Sequence, residues 1–315
     1  MAVSIGLLLP TREMVMGQNE RNFAELIALA RAAEKLSLDA VWVGDSILAR
    51  PRFDPVTTLA AVAASTERIR IGSAVILSAL RNPVVLANEM ANVDLISRGR
   101  LILGLGTAAR NEPNRREFES IGISFSDRIG IFDEGVDVMQ RLWREPKVTY
   151  EGRHFKLDDV SLGLRPYGDG IPVWLSASEG RSLARVLQKG DGWLMLAANA
   201  EAFRQAWTQL RDMAAEAGRD VSDLGRAVYV TLDINHDASA AMARMRSFIE
   251  GYYGGAYEDL TRIHAVCAGS AETCAAWLQQ FIDAGVNTLI VRFNQRDQTG
   301  QLQSFAEQVM PLLRS

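Results

Sequence analysis

The chain has 315 residues, of which 48% are apolar and 23% are charged, and its formal net charge is −4. This length suits one α/β barrel with insertions or two average domains. The negative charge excludes a non-specific binder of nucleic acid or of an anionic membrane, because both need a basic surface, so we expect a small-molecule partner.

Eight continuously apolar runs follow one another along the chain, each bounded by turn residues. A continuous run, unlike an alternating one, indicates a strand buried on both faces, as parallel strands covered by helices are. We therefore predict the α/β class and a (βα)8 TIM barrel with insertions in the βα loops, formed by a single domain over residues 1–315. The predicted strands are Val3–Leu9, Ala40–Val43, Ile69–Leu77, Leu101–Leu105, Pro172–Leu175, Gly192–Leu196, Ala227–Ile234 and Thr288–Phe293.

Helix starts and insertions are also visible between these runs. Asp54-Pro55 and Asn82-Pro83 each place a capping side chain before a proline, which predicts that a helix begins at each proline. Between Trp143 and Pro172, the letters YEGRHFKL and a Gly/Pro-rich stretch predict a small hairpin and a loop. The stretch 251–266 is also irregular, and we expect both insertions to act as lids.

Candidate chemistry lies at the carboxyl ends of the barrel strands. Asp45-Ser46 follows the second predicted strand, and the fourth ends in Gly104-x-Gly106-x-x-Ala109, the loose form of a dinucleotide fingerprint. A Rossmann loop must lead directly into a helix, which Asn111-Glu112-Pro113 should interrupt. This context disfavours a Rossmann site.

A phosphate site is indicated after the fifth predicted strand. Residues Ser176–Ser182 open a helix there, so free backbone N–H groups, hydroxyls and a guanidinium are expected to face one spot. Ser178, Glu179, Gly180 and Arg181 are the candidate ligands of a phosphate monoester. Plain helix capping by Ser178 is the alternative interpretation.

Several segments together resemble the bacterial luciferase-like monooxygenase family. They include DAVWVGDS, LISRGRLILGLGTA and IPVWLSASEGRSLARVLQKGDGW, in family order and spacing. The resemblance extends over roughly residues 1–200 and more loosely to AGVNTLIVRF near the end. It implies a barrel that binds FMN or the deazaflavin coenzyme F420.

The resemblance also implies positions for the cofactor. The third strand of the family ends in a bulge, often with a non-proline cis peptide, and the matching bond here is Ala74–Val75. Ser73, Ala74 and Val75 would back the ring, with Gly106, Thr107 and Ala108 along the ring or its polyol chain. The helix opened by Glu179, Gly180 and Arg181 would bind the phosphate.

The departures from the family pattern concern mechanism. Many relatives have a histidine where this chain has Ser46, and a serine hydroxyl is a poor proton carrier near neutral pH. Deazaflavin relatives that oxidise sugar phosphates carry a glutamate near residues 108–110, where this chain has Ala, Ala and Arg. A dehydrogenase of that type is thereby disfavoured, and Glu112 is the nearest carboxylate.

We assign candidate roles accordingly. Asp45 and Ser46 are the candidate catalytic residues, for orientation or proton relay. Arg12 and Arg50 are candidates for an anionic substrate or cofactor tail, and Trp193 for a wall of the substrate site. Core packing is the alternative interpretation of Trp193.

The leading hypothesis is an oxidoreductase in which reduced FMN or F420 passes a hydride to an organic substrate or supports its monooxygenation with O2. The resemblance leaves the choice of cofactor open. The alternative is a flavin-binding barrel with little or no catalytic activity. The family also implies a homodimer.

The remaining polar residues argue against other classes. His154, His236 and His264 show no paired ligand spacing, so no metal site is predicted. Cys267 and Cys274 fit neither a redox nor a zinc motif. No apolar run approaches the roughly 20 residues of a membrane helix, and no basic residue precedes the first apolar run as in a signal peptide. We expect a cytoplasmic protein with no membrane partner.

Overall fold

The computed structural model describes residues 3–16 and 22–313. Its strands are β1 (Ser4–Leu8), β2 (Ala40–Val43), β3 (Arg70–Ser73), β4 (Leu101–Leu105), β5 (Val148–Glu151), β6 (Lys156–Val160), β7 (Val173–Ser176), β8 (Gly192–Met195), β9 (Gly225–Ile234), β10 (Ala265–Gly269) and β11 (Thr288–Phe293). Its α-helices are α1 (Glu13–Met16), α2 (Phe23–Lys35), α3 (Pro55–Ser65), α4 (Pro83–Ser97), α5 (Glu112–Ser120), α6 (Arg128–Arg144), α7 (Gly180–Lys189), α8 (Ala200–Glu216), α9 (Ala238–Tyr253), α10 (Tyr257–Leu260), α11 (Ala271–Asp283) and α12 (Gln298–Ser304).

The fold is a closed (βα)8 TIM barrel, as predicted. Its strands follow one another in the order β9-β11-β1-β2-β3-β4-β7-β8, and β8 pairs back with β9. The registers that define this order are parallel, for example Gly6 with Ala40 and Leu103 with Val173. Crossover helices cover such strands, which explains why their sequences are continuously apolar.

The predicted strands agree with the barrel strands, except that the third is shorter than predicted. One further strand, β10, was not predicted. The run Ile69–Leu77 is interrupted, because β3 ends at Ser73 and Ile76 then makes an isolated bridge to Leu105. The hairpin predicted after α6 is confirmed as β5 and β6. The stretch 251–266 is not irregular, since it holds the end of α9, all of α10 and the start of β10, a strand that the sequence did not predict.

Local capping chemistry sets several helix starts. The Asp54 side chain accepts the N–H of Thr57 at 3.0 Å, and the Asn82 side chain accepts that of Val84 at 2.9 Å, which confirms both predicted starts. The expectation that Asn111-Glu112-Pro113 interrupts a helix is wrong. Asn111 caps α5, and Pro113 lies in its first turn, where a proline lacks no needed hydrogen bond.

Two compact units can be distinguished along the chain. The first comprises the described residues of 1–9, 28–42 and 177–315, and the second those of 10–27 and 43–176. Large side chains that are fully buried in the first unit include Trp193 and Phe281, and those in the second include Phe118 and Phe132. The single domain over residues 1–315 stays a prediction.

Candidate active site

Asp45 lies two residues after the end of β2 and forms an ion pair with Arg81. Its Oδ1 accepts Nη2 of Arg81 at 3.1 Å, and its Oδ2 accepts the N–H of Leu77 at 3.0 Å and Nη1 of Arg81 at 2.5 Å. Burial raises the pKa of Asp45 above its ordinary value, against the hydrogen bonds and charge of Arg81, which act to lower it. A bidentate arginine fork holds a carboxylate in one orientation. The group is therefore well placed to fix the end of β3 relative to β2.

Ser46 contacts a carboxylate that the sequence analysis did not single out. Its Oγ donates to Oε1 of Glu117 at 3.0 Å and accepts the N–H of Arg50 at 2.8 Å. The same Oε1 accepts the N–H groups of Ile47 and, at 2.8 Å, of Leu48. Glu117 thus organises the loop after β2 from its place on α5.

The second oxygen of Glu117 is the more unusual feature. The side chain is fully buried, and its Oε2 atom has no hydrogen-bond partner among the residues that the structure describes. A buried polar atom without a partner costs free energy, and such atoms are rare in folded proteins. This carboxylate lies within hydrogen-bond distance of Ser46.

The predicted cofactor residues of β3 and β4 lie side by side in the second unit. The peptide bond Ala74–Val75 is cis, as the resemblance implied. A Cβ atom on Gly106 would lie 2.5 Å from Cγ2 of Val75, so a glycine is required at this contact. The Ser73 hydroxyl donates to the carbonyl of Gly104 at 2.7 Å and is buried, which leaves its side chain a structural role.

Thr107 and Ala108 continue from Gly106, and both are partly exposed, as are Ala74 and Val75. Ala108 has φ 62°, the left-handed region that costs energy for a residue with a Cβ. These partly exposed residues have small or short side chains and lie at the ends of β3 and β4.

The predicted phosphate ligands lie at the start of α7, in the first unit. Glu179, not Ser178, is the N-cap, and it forms a capping box with Ser182. The Ser182 hydroxyl also accepts the N–H groups of Ser178 and Glu179, both at 3.2 Å. Within the described part of the chain, the N–H groups of Gly180 and Arg181 have no such partner.

The predicted substrate residues have different surroundings. Arg12 is half-buried directly before α1, and Arg50 is half-buried in the loop that Ser46 and Glu117 organise. Trp193 on β8 is fully buried, stacks on Phe203 with ring centroids 4.8 Å apart, and donates its Nε1 to the carbonyl of Ala177. This packing favours a core role for Trp193 over a substrate wall.

Glu112, the carboxylate nearest in sequence to residues 108–110, is exposed and paired with Arg115 and Arg116. Glu117 and Arg81 were missed. The sequence signal for Glu117 was weak, because it consists only of an acidic residue next to Phe118 on the inward face of α5. The sequence holds no local signal for Arg81, because its partner Asp45 is 36 residues away.

Catalytic residues of TIM-barrel enzymes lie at the carboxyl ends of the strands, where Asp45, Ser46 and the Gly106 segment are found. Fold and site thus define a barrel enzyme. The model of the luciferase-like monooxygenase family matches residues 3–288, and the chain belongs to this family. It is an oxidoreductase of the luciferase-like, F420- or flavin-dependent type.

Individual relatives show how the family varies. The chain is 27% identical to an F420-dependent glucose-6-phosphate dehydrogenase of Amycolatopsis mediterranei (strain U-32), over 92% of this chain and 95% of the relative. A solved F420-dependent secondary alcohol dehydrogenase, in complex with an F420-acetone adduct, has a TM-score of 0.85 and 21% identity, with 100% of both chains covered. The oxygenating constituent of 3,6-diketocamphane monooxygenase from Pseudomonas putida, a type II Baeyer-Villiger monooxygenase in complex with FMN, has a TM-score of 0.76 and 20% identity, over 100% of this chain and 99% of that one. At these identities the two solved structures show the shared fold alone.

None of the described helices is long and apolar enough to cross a membrane.

Proposed function

We propose that the protein is an F420-dependent oxidoreductase that transfers a hydride between the deazaflavin and an organic substrate. The observation that carries this proposal is the similarity to an F420-dependent dehydrogenase along 92% of the chain. FMN is the other candidate cofactor, because an FMN complex of the same fold is known. In either case the bound cofactor supplies the hydride chemistry, and the chain supplies position, polarity and protection from water.

The residues present fit such a cofactor at two places. Ala74, Val75, Gly106, Thr107 and Ala108 would hold the ring, since these partly exposed strand ends carry little side-chain bulk where a planar group would lie. A contribution of Ser73 would come from its backbone, because its hydroxyl is bonded to β4.

The phosphate would bind at the start of α7, through Ser178, Glu179, Gly180 and Arg181. A Cβ atom on Gly180 would meet nothing within 4 Å, so the space above this helix start is open to a ligand. The N–H groups of Gly180 and Arg181, together with the Arg181 guanidinium, are suitable donors for a phosphate monoester. The Glu179 carboxylate opposes an anion here and would have to turn away from it.

Asp45 and Ser46 have separate roles in this proposal. Asp45 orients Arg81 and the end of β3 rather than exchanging a proton, because both of its oxygens accept hydrogen bonds. Ser46 Oγ holds a proton that points to Glu117, and Ser46 stands where many relatives have a histidine. Arg12 and Arg50 are proposed to attract an anionic substrate or cofactor tail.

The proposed substrate is an organic molecule other than glucose 6-phosphate. Relatives that oxidise sugar phosphates have a glutamate where this chain has Ala108, Ala109 and Arg110. The second candidate function, a flavin-binding barrel with little activity, is favoured by one observation: both Asp45 and Ser46 are engaged by other side chains.

The proposal includes a cytoplasmic homodimer with small-molecule partners and no nucleic acid or membrane partner. The surface of α4 supports association, because Val85, Leu95 and Ile96 are 54%, 37% and 47% exposed. Light scattering coupled to size-exclusion chromatography distinguishes a dimer from a monomer.

Titration of the purified protein with oxidised F420 and, separately, with FMN tests the function. Absorbance and fluorescence report binding directly. We expect micromolar or tighter binding of F420 and weaker binding of FMN. The reverse order would assign FMN and direct the substrate search to oxygen consumption, and binding of neither would refute the proposed function. Cofactor binding without turnover of a broad panel of carbonyl and alcohol compounds would favour the second candidate.

A further inference from the structure

A cavity of about 580 Å³ lies beside the segment that follows β4. It is lined by residues of the second unit alone, among them Arg110, Ser124, Phe125, Ser126 and Arg128. Arg110 comes only two residues after Ala108, one of the proposed cofactor contacts. The cavity therefore adjoins this segment along the chain.

The charges around this cavity do not balance. The carboxylates of Glu112 and Glu119 are paired with Arg115, at 2.8 and 3.5 Å. Among the described residues, no carboxylate lies within ion-pair distance of Arg110 or Arg128. Two guanidinium groups thus line the cavity without a counter-ion from the described chain.

Arg128 is held in a fixed orientation at the start of α6. Its Nη1 donates to the carbonyl of Phe125 at 2.8 Å, and its guanidinium carbon lies 3.9 Å from the centroid of the Phe125 ring. Its Nε is buried and has no hydrogen-bond partner in the described structure. Burial, and then the charge of Arg110, lower the pKa of Arg128 below its ordinary value. An anion between the two arginines would relieve this repulsion.

Further donors line the same cavity. The hydroxyls of Ser124 and Ser126 are 2.7 Å apart, so one of them donates to the other and the second proton is available to a ligand. Asp127 precedes α6 but its side chain does not cap the helix; one of its carboxylate oxygens lies 3.7 Å from Arg153 instead. The first N–H groups of the 17-residue helix α6 thus have no cap from the Asp127 side chain.

We propose that this cavity binds an acidic group, a carboxylate or a phosphate, of the organic substrate. The assignment of this group to the substrate rests on the proposed function. The anion site itself follows from Arg110, Arg128 and the two serines. A planar guanidinium fork and hydroxyl donors match the oxygens of either group. The proposed substrate is thus an organic acid or a phosphate ester whose acidic end is anchored away from the reacting carbon.

Isothermal titration with inorganic phosphate and with citrate tests the anion site. We expect both anions to bind, and Arg110→Ala and Arg128→Ala each to weaken binding about tenfold, the usual effect of losing a charge-assisted hydrogen bond. Arg116→Ala is the matched control, because it removes one positive charge from α5 without lining the cavity. Equal weakening in the control, or no binding by the wild type, would overturn the proposal.

Arg128→Lys covers the case in which Arg128→Ala does not fold. Lysine keeps the charge but loses the fork and its stacking on Phe125, so we expect weakened anion binding with a thermal midpoint near that of the wild type. Binding of phosphate as tight as in the wild type would contradict a role for the fork.

A second titration identifies the source of the acidic group. F420 is compared with the tail-free deazaflavin, which keeps the ring and its polyol chain but lacks the phosphate and everything beyond it, in the wild type and in the Arg110→Ala, Arg128→Ala double variant. Unchanged affinity for both compounds supports the substrate assignment. A loss of F420 affinity with unchanged affinity for the tail-free deazaflavin would overturn the substrate assignment, because the cavity would then hold the cofactor tail. If the wild type binds phosphate through these arginines but neither F420 nor FMN, the proposed function fails and the anion site stands.

Discussion

Replacement of Glu117 by alanine is expected to destabilise the second unit. The substitution removes the acceptor for three donors, namely the Ser46 hydroxyl and the N–H groups of Ile47 and Leu48. Ile47 and Leu48 are 44% and 54% exposed, so water replaces part of the loss there. The Ser46 hydroxyl is buried and has no such relief. Each exposed donor should cost about 1 kcal/mol of the free energy of unfolding and the buried one about 1–3 kcal/mol. Removal of the unpartnered buried oxygen returns part of this loss. We therefore expect the free energy of unfolding to fall by about 2–4 kcal/mol.

Urea unfolding followed by circular dichroism measures this change. Glu119→Ala is the matched control, since Glu119 lies on the same helix but is exposed, and its ion pair with Arg115, at 3.5 Å, is a weak surface contact. The free energy of unfolding of this control should change by no more than about 0.5 kcal/mol. Glu117→Gln keeps one acceptor oxygen and should cost about 1 kcal/mol, because hydrogen bonds to a neutral group are weaker. A Glu117→Ala protein as stable as the Glu119→Ala protein would refute the assigned role of Glu117.

The remaining predictions concern packing, capping and pH. Gly106→Ala should cost about 1–3 kcal/mol, because its Cβ would meet Val75, and the double variant with Val75→Ala should recover most of the loss; additive losses in urea unfolding would contradict this contact. Asn82→Ala should cost about 1 kcal/mol in the same assay through loss of the cap on α4, while Asn82→Asp should be nearly neutral, and equal losses in both would argue against capping. Burial opposes ionisation of Glu134, but the N–H groups of residues 153–155 prevail and lower its pKa from the ordinary 4.5. The ionised group therefore stabilises the fold above pH 4.5 and loses this effect as the pH falls, so Glu134→Gln should destabilise more at pH 7 than at pH 3, and a pH-independent difference would be evidence against these bonds.

The barrel strands could be predicted from the sequence because burial on both faces leaves a continuous apolar run in each. Helix starts such as those at Asp54 and Asn82 were equally accessible, since a cap and its N–H partner are only two or three residues apart. β10 could not be found this way. Its sequence, AVCAG, is short, and its burial alternates, so it resembles the loops around it until it pairs with β9.

The candidate site was predictable only in part. The cis bond at Ala74–Val75 followed from the resemblance to the family. The carboxylate beside Ser46 did not, because Glu117 is 71 residues away and sits in a helix that otherwise looks polar and exposed. Contacts of this range depend on how the βα loops fold over the strand ends, and no local pattern records that.

The pairing of β9 has a consequence for how this barrel tolerates change. β8 pairs with its first part, Gly225–Val228, and β10 takes over from Val230 to Ile234 on the edge that β8 leaves free. The opposite edge is held by β11 over residues 227–232. The segment between β9 and β10 includes α9, whose Ala241, Met245, Ile249 and Tyr252 are buried. The exposed residues 254–256, between α9 and α10, are therefore where an insertion would leave both the buried face of α9 and the paired edges of β9 in place.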